Sequence, residues 1–190
     1  MNKNDKKFII ILSRRGDIML VRHSKNEFSN IVAAFDNGPY SHVAAIAGLD
    51  KIIESSSHGV AEEKIHKYLT KNHIACIIRP NYDDNKQIDK FINALNGYVG
   101  SGYDYGGLIG FGLYYVLKFF GITIKNLFAS KYRYICSEVV ARSLAKADKK
   151  FDMSVYETDG SFELVSPNDF YRMSKSNTDL FKIVYEVREK

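Results

Sequence analysis

Two cysteines, Cys76 and Cys136, are all that the 190 residues contain, and they stand 60 positions apart in apolar runs. That scarcity excludes a disulfide-stapled secreted fold and leaves no cysteine cluster at zinc-ligand spacing. A reducing compartment, the cytoplasm, is the expected location. An export signal is missing as well: residues 1–7 are polar and charged, and the apolar run Phe8–Leu12 is too short and too soon followed by Arg14 and Arg15. Positive charge is present but not blocked. The net +5 and the pI of 9.0 come from scattered lysines, which read as solvated surface. The tyrosines assemble no aromatic and basic motif of an RNA-binding module, so no nucleic-acid partner is expected. His58, His66 and His73 are spaced by eight and seven and fit no compact ligand motif. Neither a metal nor a cofactor is expected. Repeats and low-complexity linkers are lacking too.

What is there suffices for one domain spanning residues 1–190: at 45% hydrophobic content the chain buries a core without disulfides or metal. The pattern is mixed α and β. Asp17–Val21 reads as a strand, and Ser24 with Glu27 forms a capping box ahead of Phe28, Ile31, Val32 and Phe35 at helical spacing. His42–Ala47 and Ile52–Glu54 read as strands around Gly48-Leu49-Asp50, and Ile74–Arg79 as another, ended by Pro80. Glu62–Leu69 reads as helical. Ile88, Phe91, Ile92 and Leu95 predict a helix ending near Gly97, and Val139, Val140, Ser143, Leu144 and Ala147 predict one behind Cys136. Ser166-Pro167 opens a last helix, and Phe181, Ile183, Tyr185 and Val187 alternate as a closing strand. Tyr105–Ile124, twenty residues interrupted only by Lys118, is long enough for a membrane span. Its five glycines, its tyrosines and the central lysine favour a buried helix with an exit turn at Gly121, and peripheral membrane contact is the alternative.

Three residues suit thiol chemistry. A cysteine attacks a carbonyl as thiolate, which requires an imidazole to take its proton and a third polar group to orient that imidazole. Cys136 opens a helix, where unpaired N–H groups and the positive dipole end stabilise a thiolate and can hold an oxyanion. His42 starts one strand and Glu54 ends the next. If Gly48-Leu49-Asp50 is a three-residue hairpin loop, Ala47 pairs with Lys51, Ala44 with Glu54 and His42 with Ser56. His42 and Glu54 are then diagonal neighbours on one face, about 7–8 Å apart at the backbone and within side-chain reach. A loop one residue longer would turn them to opposite faces. Cys76, inside Ile74–Ile78, reads as a small core hydrophobe.

Taken in order, Arg15-Gly16-Asp17-Ile18, Ser41-His42-Val43, Ile53-Glu54, Tyr103-Asp104-Tyr105, Tyr134–Val140 and Ser166-Pro167-Asn168-Asp169-Phe170 resemble the YiiX/YebB-like permuted papain-like cysteine hydrolases. These are relatives of NlpC-type cell-wall endopeptidases and of the lecithin retinol acyltransferase group. The resemblance spans most of the chain and implies an α+β, circularly permuted papain-like fold, with an antiparallel sheet or partial barrel packed on helices. It implies Cys136 as nucleophile, His42 as base and Glu54 as orienting residue. Tyr103 is a fourth candidate, similar to a tyrosine lining the oxyanion site in non-permuted relatives, although its distance in sequence from the cysteine departs from theirs. The implied activity is cleavage of an amide or ester through an acyl-enzyme, on a small-molecule, peptide or lipid substrate. Amidase or peptidase action is the first expectation; lipid acyl hydrolysis or transfer at a membrane surface, and a non-catalytic interaction domain, are the alternatives.

Overall fold

The computed structural model describes residues 1–103, 133–156 and 162–188. Six strands form one sheet in the order β4-β3-β2-β1-β5-β8, every neighbouring pair antiparallel. They are β1 (Ile18–His23), β2 (His42–Gly48), β3 (Lys51–Ser56), β4 (Gly59–Lys64), β5 (His73–Pro80) and β8 (Phe181–Val187). A short parallel pair, β6 (Gly102–Tyr103) and β7 (Arg133–Tyr134), stands apart from that sheet. The helices are α1 (Lys3–Leu12), α2 (Glu27–Phe35), α3 (Asn85–Asn96), α4 (Cys136–Ala147) and α5 (Pro167–Ser176).

Alternation along the strands builds a core on each face of the sheet. Ile18, Leu20, Val43, Ala45, Ile53, Cys76 and Ile78 face α3, α4 and α5, meeting Phe91, Leu95, Val139, Val140, Leu144 and Phe170. Met19, Val21, Ala44, Ile46, Ile52, Ala75 and Ile77 face the other way, against Ile9 of α1 and the pair Ile65 and Leu69. Because both faces are covered, β1, β2 and β5 are nearly continuous apolar runs. The α+β class and the antiparallel sheet on helices agree with the sequence reading, as do α3 with Gly97 as its cap and the closing strand.

Four local readings change. Asn26, not Ser24, caps α2 by accepting from Ser29 N–H, because the Ser24 hydroxyl is spent on Asn72 O across the sheet end. The stretch expected to be a helix, 62–69, is the edge strand β4 followed by one 3-10 turn at Ile65–Tyr68. Its i, i+4 apolar pair Ile65 and Leu69 is buried by that single turn. Residues 3–12, unassigned from the sequence, form α1 under a capping box between Asn2 and Asp5. Finally, Gly48 pairs with Lys51, so the β2–β3 turn is Leu49-Asp50 alone, and a bulge between Ile46 and Gly48 takes up the extra residue. Ile46 therefore still pairs with Ile52 and Ala45 with Ile53, the register that a three-residue loop would have set. The apolar stretch 105–124 lies outside the described residues.

Candidate active site

Cys136 is the first residue of α4, and its N-cap, Ile135, offers no side-chain acceptor. The first N–H groups of the helix are thus left for whatever sits at its mouth. Val139, Val140, Ala141 and Leu144 are buried against the sheet and pin α4 over β2 and β3, which fixes where the sulfur stands. The thiol has only slight access to solvent, Cys136 being 8% exposed.

His42 is the first residue of β2 and pairs with Val21. The segment before it is clamped by Asn168, one residue beyond Pro167. Tyr40 N–H donates to Asn168 Oδ1 at 2.9 Å, and Asn168 Nδ2 donates to Tyr40 O and to Asp36 Oδ2, both at 2.8 Å. The approach is so close that a Cβ on Gly38 would stand 2.2 Å from the Asn168 side chain, so this turn accepts no larger residue without moving the clamp. The motif Ser166-Pro167-Asn168 therefore holds the strand entry two residues ahead of the imidazole.

Glu54 is buried on β3, and His42 Nε2 lies 2.6 Å from its Oε2. Two further donors close around the carboxylate: Lys67 Nζ reaches Oε1 at 2.5 Å, and the Tyr68 hydroxyl donates to Oε2. Neither Lys67 nor Tyr68 was singled out from the sequence. They arrive on the 3-10 turn that replaces the expected helix, so no local signal could have placed them.

By strand alternation His42 belongs with Ala44 and Ile46, on the face turned away from α4. It meets the thiol because it begins its strand and because the β2–β3 ladder runs only between Ala45/Ile53 and the turn. Beyond that ladder, the His42 imidazole and the Val43 and Ser137 N–H groups lie near enough to the sulfur to favour its charged form. With Nε2 committed to Glu54, Nδ1 is the ring nitrogen left for the cysteine.

The electrostatics follow from this contact. Burial alone would raise the Cys136 thiol, but the His42 charge and hydrogen bond, with the two N–H donors, bring it below its ordinary value. Burial would likewise lower His42, yet the charge and hydrogen bond of Cys136 and those of Glu54 hold its proton well above the usual imidazole range. Burial opposes the charge on Glu54 too, and His42, Lys67 and Tyr68 overcome it and pull the carboxyl down to about 2. The Cys136 and His42 displacements both run toward the charged forms, a thiolate beside an imidazolium, against the direction that burial alone would impose. Cys76 is the opposite case: fully buried, and pushed up to about 12 by burial and by the Glu186 charge.

Tyr103 reaches the neighbourhood through its backbone. It pairs in parallel with Tyr134, two residues ahead of Cys136, although 33 positions separate it from the cysteine in sequence. Its side chain lies outside the described residues. The three spaced histidines part company: His66 pairs with Asp50, His58 bonds its neighbour Ser57, and His73 packs edge-on against His23 and Tyr68. Among the described residues, no group of three or more His, Cys, Asp or Glu is placed to hold a metal ion. Among the same residues, no helix is long and apolar enough to cross a membrane.

An antiparallel sheet covered by helices, with a cysteine at a helix mouth beside a histidine strand, is the architecture to compare. No protein-family model matches the chain, and no curated protein matches it in sequence. Among solved structures it is similar in fold to the crystal structure of metalloprotein yiiX from Escherichia coli O157:H7 (DUF1105). The two share 17% identity over 92% of this chain and 89% of that one, at a TM-score of 0.52. At that identity the likeness concerns the fold alone.

Proposed function

We propose that the chain is a thiol hydrolase of the permuted papain-like kind, cleaving an amide or ester bond. The observation that carries this reading is the series Cys136, His42 and buried Glu54, with the imidazole hydrogen-bonded to the carboxylate and electrostatically coupled to the thiol. The order histidine, glutamate, cysteine along the chain agrees with the permuted branch, and the yiiX-like fold is compatible with it.

In the proposed reaction the Cys136 thiolate attacks the acyl carbon, and the carbonyl π electrons move onto oxygen. The N–H groups at the mouth of α4 are proposed to hold that oxyanion, with Tyr103 as a further proposed contributor. The imidazolium of His42 gives its proton to the leaving nitrogen or oxygen as the carbon–heteroatom bond breaks, leaving a thioester. Neutral His42 then takes a proton from water, hydroxide adds to the thioester, and the thiolate departs. Glu54 keeps the ring oriented and its charge balanced throughout. The substrate is proposed to be a small molecule or peptide with an accessible acyl bond, in a compartment that keeps the thiol reduced.

Release from a panel of acyl amides, esters and short peptides tests the proposal. Wild-type protein is expected to turn over at least one member, and Cys136→Ala and His42→Ala to lose that turnover while keeping the circular dichroism spectrum. Full activity in either variant would remove the assignment. An inert wild type whose Cys136 alkylates no faster than a free thiol would instead mark a binding domain that keeps the fold without the chemistry.

A further inference from the structure

Seven large apolar side chains are exposed among the described residues, and three of them share one helix: Phe8 at 48%, Ile11 at 61% and Leu12 at 36%. Their spacing of i, i+3 and i+4 makes a single stripe. Ile9, rolled to another side of α1, is fully buried in the second core. The helix is therefore seated on the sheet while leaving an apolar edge in water. Lys3 and Lys7, one turn apart, run along a border of that stripe, and Arg14 and Arg15 follow its end directly. Asp5, the acidic residue of α1, is engaged by Asn2 N–H and the Tyr185 hydroxyl.

The same corner holds a groove of about 730 Å³ whose lining includes Arg14, Arg15, Asp17, Arg79, Asp89 and Lys182. Both acids in it are already matched. Asp17 takes Arg79 on both oxygens at 2.8 Å, and Asp89 pairs with Arg15 at 2.7 Å. Arg79 Nη2 also donates to Leu12 O, tying the end of α1 to the groove. Arg14 and Lys182 make no ion pair of their own among the described residues, so the groove carries uncompensated positive charge next to the apolar stripe.

We propose that this corner docks on an anionic bilayer surface, with Phe8, Ile11 and Leu12 entering the interface and the groove accepting an anionic headgroup between Arg14 and Lys182. An apolar edge rimmed by cations is what an interfacial helix presents to acidic lipid. A second copy fits poorly, because a self-paired stripe would bring the basic rims of two molecules together. The site belongs to the end of β1 and β5 remote from His42, and the inference does not depend on the thiol chemistry.

Co-sedimentation of the full chain with vesicles of phosphatidylcholine alone, and of phosphatidylcholine with phosphatidylglycerol, tests it. Binding is expected to the acidic vesicles only, and to weaken as salt is raised. Removing two groove charges in Arg14→Gln/Lys182→Gln is expected to lower affinity about thirtyfold, at about fivefold per cation. Ile11→Glu, at an exposed position where folding is not at stake, is expected to abolish binding with an unchanged melting curve. The proposal is overturned by equal partition onto both vesicle types, or by wild-type binding in both variants. It is also overturned if inorganic phosphate binds the groove while vesicles do not, or if Ile11→Glu dissolves a dimer formed by the wild type.

Discussion

Replacing Glu54 by glutamine keeps the shape of the side chain and removes its charge, which isolates what the buried carboxylate contributes. In the fold Glu54 titrates near 2 against an ordinary 4.5, its burial outweighed by His42, Lys67 and Tyr68. A carboxyl whose folded value is depressed stabilises the protein fully above its unfolded value and loses that contribution as the pH falls through the folded one. The gap corresponds to roughly 3 kcal/mol at neutral pH. Unbalancing a buried charge pair independently costs about 3–5 kcal/mol. Three donors converge on the two oxygens of Glu54, and glutamine replaces one oxygen with a donor, so at least one contact becomes donor against donor. Lys67, 41% exposed at its side chain, rehydrates readily; His42 and Tyr68 are less able to do so. Glu54→Gln is thus expected to lose roughly 3 kcal/mol in urea unfolding at neutral pH, with its deficit narrowing as the pH falls between 4.5 and about 2. A second readout concerns the thiol. Without the carboxylate the imidazolium is less favoured, so alkylation of Cys136 by iodoacetamide in mild acid is expected to slow. A variant within about 0.5 kcal/mol of wild type, the ordinary scatter of surface substitutions, and with the same alkylation profile would refute this account of Glu54.

Other perturbations have equally definite outcomes. Mass spectrometry after limited alkylation of native protein is expected to find Cys136 modified well below the ordinary thiol pH range and Cys76 untouched, given their opposite displacements; early labelling of Cys76 would contradict it. Asn168→Ala strips the clamp on Tyr40 and Asp36 and leaves buried groups unpaired, for a loss of about 2–4 kcal/mol in denaturant unfolding; a loss under 1 kcal/mol would show the clamp to be incidental. His73 is lowered to about 4 by burial and by neighbouring positive charge, His23 foremost. A histidine depressed in the fold stabilises above its unfolded value of 6.5 and loses that contribution toward 4, so His73→Gln is expected to flatten thermal stability against pH across that window. An unchanged slope would exclude His73 as its source.

Much of the architecture was legible because the physics behind it is local. Helical spacing of Phe91, Ile92 and Leu95, the proline after Ser166 and the alternation from Phe181 to Val187 each report burial on one face of one element. The failures share a different cause. Ser24 has the right composition for a cap, yet Asn72 is better placed to use its hydroxyl, and only the sheet brings Asn72 there. The Ile65 and Leu69 pair has helical spacing, but the pairing of β4 with β3 claims the residues before it and leaves room for one turn.

For the candidate site, residue type and helix position single out Cys136, and a hairpin argument puts His42 and Glu54 on one face. That register survives a shorter turn because a bulge at Ala47 restores it. The meeting of imidazole and sulfur is not contained in any such periodicity, since alternation alone would point His42 to the wrong side of the sheet. It arises where the β2–β3 ladder stops and α4 is seated by its buried valines and leucine, a matter of packing between distant segments. Lys67 and Tyr68, which hold the carboxylate ionised, likewise owe their place to how the edge strand turns back. Short-range patterns decide which element a residue joins; which charges share a desolvated pocket is decided only when the elements close on one another.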